Sequence, residues 1–92
     1  GYNNLRGKTI LVAEDEEDLL VIIKSLLEDF GMKVMSAKNG LEALTIQDEF
    51  DDKIDFLLTD IVMPELGGLK LASLIREVRT ATNILVRGYF EF

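Results

Sequence analysis

Short apolar runs alternate along the chain with longer segments in which apolar residues recur every three or four positions. The short runs occupy residues 8–13, 32–37, 56–59 and 83–86. A short continuous apolar run is typical of a strand covered on both faces of a sheet, and the longer periodicity is typical of an amphipathic helix. Strands that alternate with helices predict right-handed crossovers and therefore a parallel sheet with helices on both faces.

Three helices are predicted between these strands. The first begins in the acidic run of residues 14–18, whose charges favour a helix N-terminus, and ends at Gly31. The second follows a turn at residues 39–40, and the third follows a loop that contains Pro64. The residues whose spacing predicts core positions are Leu19, Ile22, Ile23, Leu26, Leu27 and Phe30 in the first helix, Leu41, Leu44 and Phe50 in the second, and Leu71, Leu74, Ile75 and Val78 in the third.

Composition and charge narrow the class of protein. Of the 92 residues, 48% are hydrophobic and 29% are charged, as in a single globular domain. The net charge of -7 argues against direct binding of a nucleic-acid backbone. Because the sequence has no apolar run of membrane-spanning length and no signal peptide, we interpret it as a cytoplasmic, soluble domain without a membrane partner. Since it has no cysteine and no histidine, only carboxylates remain as metal ligands.

Carboxylates follow two of the predicted strands at their carboxyl ends. Glu14 and Asp15 follow the first strand, and Asp60 ends the third, within the segment FLLTDIVMP of residues 56–64. A charge at the end of a buried strand must be solvated, paired or bound to a metal. With the strand order 2-1-3-4, ligands are expected beyond the ends of the first and third strands, where the order reverses. The sequence therefore predicts that the three carboxylates meet in one crevice, and an all-oxygen site of this charge suits Mg²⁺.

Three segments of the sequence resemble the receiver domain of two-component response regulators. They are ILVAEDEEDL, which begins at Ile10, the NG-x-EAL pattern of residues 39–44, and DIVMPELGG, which begins at Asp60. Their order and separation also match the family. The resemblance implies an α/β fold, with a doubly wound parallel sheet of the flavodoxin-like receiver type and the strand order 2-1-3-4.

The resemblance also implies a function and a set of site residues. Asp60 matches the residue that accepts a phosphoryl group from a histidine kinase or a phosphotransfer protein. Glu14 and Asp15 match the acidic pair that holds Mg²⁺ together with Asp60 and the backbone carbonyl of Val62. Such a chain is a phosphoacceptor signalling domain, with Mg²⁺ as its cofactor, and not an enzyme in the usual sense.

The sequence departs from the family pattern after the third helix. Receivers carry Thr or Ser at the end of the fourth strand, where this chain has Arg87. They continue with a fourth helix, a fifth strand that ends in a lysine, and a fifth helix. We expect all three of these elements to be absent here. We interpret Arg87 as a solvated edge-strand residue in preference to a phosphate ligand. The alternative function is a degenerate or truncated receiver that acts as a protein-interaction and dimerisation module without phosphotransfer.

The expected organisation is one domain over residues 1–92, with an N-terminal extension over residues 1–7 and an exposed edge strand and tail over residues 84–92. The apolar and aromatic edge, ILVRGYFEF, invites pairing with another chain. We hypothesise a homodimer through the fourth strand, because two-fold self-pairing is the commonest way to close such an edge. A fragment of a longer receiver is the alternative.

Overall fold

Four parallel strands alternate with three helices. The computed structural model describes residues 4–88, so the predictions for residues 1–3 and 89–92 lie outside the described part of the chain. The strands are β1 (Thr9–Ala13), β2 (Lys33–Ala37), β3 (Phe56–Asp60) and β4 (Asn83–Arg87), and the helices are α1 (Glu17–Asp29), α2 (Gly40–Glu49) and α3 (Gly68–Val78). All neighbouring strands are parallel, and the sheet order is β2-β1-β3-β4. The predicted alternation and strand order are confirmed.

The helices cover the two faces of the sheet unequally. On one face α2 and α3 pack over β1 and β3, where Leu11 and Leu57 are fully buried. On the other face α1 packs over Ile10 and Val12 of β1. The β3 residue Leu58 points to this second face and is only partly buried. The larger part of the core therefore lies between the sheet and the α2–α3 pair.

Some apolar residues of α1 and α3 that the spacing assigns to the core are exposed. Ile22 and Leu26 of α1 and Val78 of α3 are exposed, which corrects the prediction for these positions. The stripe of α1 that packs on the sheet contains Leu20 and Ile23. Because α1 packs mainly on β1 and β2, one stripe of its surface is enough to cover them.

The prediction for the buried face of α2 was wrong at Leu41, which is exposed. The buried residues of this helix are Gly40, Ala43 and Gln47, which recur every three or four positions. Gly40 begins the helix directly against the backbone of Leu66, where even a Cβ atom would be 2.2 Å from the Leu66 carbonyl oxygen. A stripe that starts at Gly40 places Leu41 on the outer side of the helix.

The turns around α1 and α2 follow the sequence signals. Gly31 has a φ of 84° and its N–H donates to the carbonyl of Glu28, so it ends α1 as predicted. The side chain of Asn39 accepts a hydrogen bond from the Glu42 N–H and caps α2. The N–H of Gly7 donates to the Gly31 carbonyl at 2.8 Å, so the described part of the N-terminal extension is tied to the same turn.

β4 lies at one edge of the sheet within residues 4–88. Leu85 is 51% exposed and Val86 is 38% exposed, so the described part of the chain leaves this strand open to solvent, in agreement with the sequence. None of the helices in this part of the chain is long and apolar enough to cross a membrane.

Candidate functional site

Charged side chains gather where β1, β3 and β4 end. Glu14 directly follows β1, Asp60 is the last residue of β3, and Arg87 is the last residue of β4. The strand register pairs Ala13 with Thr59 and Asp60 with Arg87. Because neighbouring parallel strands end side by side, this register brings groups that are distant in sequence to one edge of the sheet.

Glu14, Asp15 and Asp60 form one carboxylate cluster. One oxygen atom from each side chain lies within 4.8 Å of the other two. The Glu14 side chain is 3% exposed and that of Asp60 is 24% exposed, whereas Asp15 is exposed to solvent. The structure thus brings together the three carboxylates that the sequence places at strand ends, with Asp15 as the exposed member of the cluster.

Both carboxylate oxygens of Glu14 have partners. Oε2 accepts a hydrogen bond from the Glu16 N–H at 3.0 Å, and Oε1 accepts one from Arg87 Nη1 at 2.9 Å. Burial raises the pKa of Glu14 and the nearby charge of Asp60 raises it further, while the Glu16 N–H and the Arg87 charge act in the opposite direction. Glu14 is therefore a buried carboxylate whose ionised form depends on neighbouring positive groups.

Asp60 is held by the backbone that follows it. Its Oδ1 accepts a hydrogen bond from the Ile61 N–H at 3.0 Å, while Oδ2 lies 3.6 Å from Arg87 Nη1. The hydroxyl of the fully buried Thr59 donates to the Asp60 carbonyl at 3.0 Å. One oxygen of Asp60 is thus fixed by the backbone, and the other lies toward Arg87.

Arg87 lies on the exposed edge strand, as expected, and its side chain also reaches across the carboxylate cluster, which the sequence analysis does not predict. Its side chain is 49% exposed, and its guanidinium pairs with Glu14 and approaches Asp60. Because β3 lies between β1 and β4, the Arg87 side chain must pass over Asp60 to reach Glu14. The sequence shows only that an arginine ends a predicted strand. The register with Asp60 is needed to show that its side chain lies beside the carboxylates.

The oxygen donors of this cluster fit a magnesium ion. Three carboxylates in close proximity are the ligand type that Mg²⁺ prefers, and their mutual repulsion favours a bound cation. Val62 lies in the loop after β3 with its side chain 76% exposed. The structure describes no contact of its backbone carbonyl, so its role as a fourth ligand stays a prediction.

The glycine at the start of α3 supports the site in a way that the sequence analysis missed. A Cβ atom at Gly68 would be 1.9 Å from the Asp60 carbonyl oxygen, and the Gly68 N–H donates to the Ile61 carbonyl at 2.8 Å. The available signal was the glycine pair of residues 67–68, which follows the loop that contains Pro64. In the structure the second glycine lets α3 begin against the backbone of Asp60.

A parallel sheet of order 2-1-3-4, with a carboxylate cluster between its first and third strands, is the architecture of a receiver domain. Residues 10–89 match the family model described as the response regulator receiver domain, so the chain belongs to this family of two-component signalling domains. Receiver domains are signalling domains and not enzymes in the usual sense.

Curated relatives of this chain include both sensors and regulators. Sensor kinase CckA of Brucella abortus is 36% identical over 87 residues, which is 90% of this chain and 9% of the relative. Transcriptional regulatory protein CpxR of Escherichia coli is 35% identical over 77 residues, which is 84% of this chain and 32% of the relative. The chain therefore spans about a third or less of the length of these relatives.

Solved receiver structures share the fold. Response regulator protein TrrA from Thermotoga maritima, solved in complex with Mg²⁺-BeF, is 32% identical with a TM-score of 0.79 and matches 91% of this chain and 71% of its own. A complex of histidine kinase ThkA with TrrA gives a TM-score of 0.78 at 32% identity, with 92% of this chain and 72% of the other covered. The flavodoxin-like receiver fold is thereby confirmed.

Proposed function

We propose that this chain is a phosphorelay receiver in which Asp60 accepts a phosphoryl group from a phosphohistidine. The observation that carries the proposal is the position of Asp60 at the end of β3, inside the carboxylate cluster, with Oδ1 held by the Ile61 N–H and Oδ2 lying 3.6 Å from Arg87 Nη1. Membership of the receiver family supports it. The donor is a histidine kinase or a phosphotransfer protein, and the complex of ThkA with TrrA supports a kinase partner.

The proposed step is a phosphoryl transfer between two nucleophiles. Asp60 Oδ2 forms a bond to phosphorus while the bond between phosphorus and the donor imidazole nitrogen breaks, and the electron pair of that bond remains on the nitrogen. The Ile61 N–H holds the other oxygen of Asp60, and the Thr59 hydroxyl holds its carbonyl, so the attacking oxygen keeps one orientation. Positioning of this kind is a large part of what a protein contributes to such a transfer.

We propose Glu14, Asp15, Asp60 and the Val62 carbonyl as the ligands of Mg²⁺. When bound, the ion neutralises charge on the incoming phosphoryl oxygens. The all-oxygen cluster supports this assignment, as does the Mg²⁺-BeF complex of the related TrrA. Asp15 is the exposed member of the cluster.

The phosphoacceptor proposal is tested by intact mass after incubation with Mg²⁺ and acetyl phosphate. We expect a gain of one phosphoryl group in the wild-type chain and no gain in Asp60→Asn or in a sample treated with a chelator. A wild-type protein that is folded by circular dichroism and gains no mass would contradict the proposal.

A second candidate function, an interaction module without phosphotransfer, is favoured by the open edge of the sheet. Leu85 and Val86 of β4 are exposed, and β4 has no neighbour on its outer side within residues 4–88. We propose that this strand pairs with the same strand of a second copy around a two-fold axis.

Light scattering at micromolar concentration tests this assembly. We expect the mass of a dimer for the wild-type chain and of a monomer for Leu85→Glu, because the charge blocks edge pairing. Leu69→Glu is the matched control, since Leu69 is equally apolar and 63% exposed but lies on α3. A monomeric wild-type chain over the whole concentration range would exclude the dimer.

A further inference from the structure

We infer that Arg87 is an intramolecular counter-ion that competes with Mg²⁺ for the carboxylate cluster and lowers the affinity of the site for the metal. The inference rests on the proposed Mg²⁺ site and concerns how that site is regulated. Its basis is the position of one guanidinium nitrogen among the oxygens proposed as metal ligands.

A single nitrogen atom of Arg87 lies between two of these ligands. Nη1 is 2.9 Å from Glu14 Oε1 and 3.6 Å from Asp60 Oδ2. These are the oxygens of each carboxylate that do not accept the backbone bonds from Glu16 and Ile61. The guanidinium therefore takes the Glu14 oxygen that has no backbone partner and lies within 3.6 Å of Asp60, so it holds the position of a cation in the carboxylate cluster.

Glu14 has no oxygen without a hydrogen bond in this arrangement. Its bond to the Glu16 N–H is local, because the two residues are neighbours in the turn that leads into α1. Its bond to Arg87 comes from a flexible side chain that is 49% exposed. When a metal binds to Glu14, the guanidinium is therefore the partner that can leave, since solvent is available to it.

The charges of the cluster explain why Arg87 and a metal ion exclude each other. Three carboxylates within 4.8 Å of one another repel, and Arg87 relieves part of that repulsion when no metal is bound. A divalent ion at the same place repels the guanidinium. Removal of Arg87 should therefore strengthen metal binding and destabilise the metal-free fold. If Arg87 were only a surface residue of the edge strand, its removal would change neither the metal affinity nor the stability.

Isothermal titration calorimetry with Mg²⁺ tests the inference on four chains: wild type, Arg87→Ala, Arg87→Gln and Arg76→Ala. We expect the Kd for Mg²⁺ to fall roughly three- to thirtyfold in both Arg87 variants, because the metal no longer displaces a charge-assisted hydrogen bond. Arg76→Ala removes the same charge from an exposed position on α3 and should change the Kd by less than about twofold, because screening weakens distant charges.

Thermal melting supplies a second readout without phosphodonor. Without Mg²⁺, the Tm of both Arg87 variants should be lower than that of the wild type, and saturating Mg²⁺ should raise it more than it raises the wild-type Tm. Arg87→Gln keeps a long polar side chain, so it reports the loss of charge even if Arg87→Ala fails to fold.

The outcomes separate this inference from the proposal on which it rests. If the wild type binds Mg²⁺ and the Arg87 variants bind it equally or more weakly, the counter-ion role is overturned and the metal site stands. If neither the wild type nor the variants bind Mg²⁺ while remaining folded, the metal site and the counter-ion role are both overturned.

Discussion

At the residue scale, Asp55 links three strands from its position just before β3. Its Oδ2 accepts a hydrogen bond from the Thr9 N–H at 2.9 Å, its own N–H donates to the Thr9 carbonyl, and its carbonyl accepts from the Asn83 N–H. The Thr9 hydrogen bond lowers the pKa of Asp55, and the nearby Lys53 charge adds to the effect. Its carboxylate is therefore a structural group.

The lowered pKa of Asp55 predicts a specific pH dependence of stability. Because the carboxyl loses its proton more readily in the folded state, its contribution is complete above the ordinary pKa and is lost as the pH falls through the folded value. We expect Asp55→Asn to lower the free energy of unfolding by about 1–2 kcal/mol at neutral pH, with the difference from the wild type shrinking as acid protonates the carboxyl in the folded state. Urea titrations at several pH values measure this difference.

Asp51→Asn is the control for this experiment. It removes the same charge from the same loop at an exposed position, and it should leave stability within about 0.5 kcal/mol of the wild type. If the Asp55→Asn difference persisted unchanged into acid, the hydrogen-bonded carboxylate would not be its cause.

A second residue, Arg79, donates hydrogen bonds to backbone carbonyls near the C-terminal end of α2. It donates to the carbonyls of Gln47 and Asp52 at 2.9 and 2.8 Å, and also to that of Phe50. These carbonyls lie at and beyond the C-terminal end of α2, where intrahelical donors are missing. Arg79 thus ties the end of α3 to the end of α2.

At the element scale, the start of α3 against the end of β3 determines how the site is supported. Gly68→Ala places a methyl group where the Asp60 carbonyl oxygen already lies, so either α3 or the β3 end must shift. We expect a loss of about 1–3 kcal/mol in the free energy of unfolding, measured in urea, and a change in the NMR shifts of the Asp60 and Ile61 amides.

Gly67→Ala provides the comparison for Gly68→Ala. A Cβ atom at Gly67 would be 3.0 Å from the Ile61 carbonyl oxygen, so a small adjustment accommodates it and the loss should be clearly smaller. Equal effects of the two substitutions would mean that the close approach of α3 to Asp60 does not control the stability of this loop.

The elements themselves could be predicted well from the sequence, but the faces of the helices could not. Strand bounds follow from apolar runs, and helix ends follow from local signals such as Gly31 and Asn39, since both depend on neighbours in sequence. Which side of α2 is buried depends on Gly40 against Leu66, a contact between distant segments. Periodicity alone therefore favours Leu41 where the structure buries Ala43.

At the scale of the whole molecule, the two faces of the sheet should contribute differently to stability. Leu57 and Leu58 are adjacent on β3 and point to opposite faces, and Leu57 is fully buried on the α2–α3 face while Leu58 is partly exposed. We expect Leu57→Ala to cost about 3–5 kcal/mol and Leu58→Ala about 1–2 kcal/mol.

Chemical denaturation of the two variants checks this difference. The pair is matched in residue type, strand and neighbours in sequence, so the burial of the side chain is the main variable. Equal losses would show that the α1 face is covered as completely as the α2–α3 face.

The carboxylates of the candidate site could be predicted from the sequence, but the position of Arg87 could not. The alternation of strands and helices predicts a parallel sheet, and the order 2-1-3-4 that the resemblance implies places Glu14, Asp15 and Asp60 at neighbouring strand ends. The direction of Arg87 depends on register, which pairs it with Asp60, and on a side chain long enough to reach β1. The register of β4 and the distance that the Arg87 side chain spans are properties of the folded structure, so they could not be predicted from the sequence.

The ion pair between Arg87 and Glu14 also bears on how the chain folds. The two residues are 73 positions apart, so their contact closes almost the whole described chain into one loop. Contacts of this kind form late, because the entropy of loop closure must be overcome before they contribute. A partly assembled sheet of β1, β2 and β3 would carry an acidic edge without its counter-charge. We therefore expect docking of β4 to favour the complete sheet over partial ones and to make folding more cooperative.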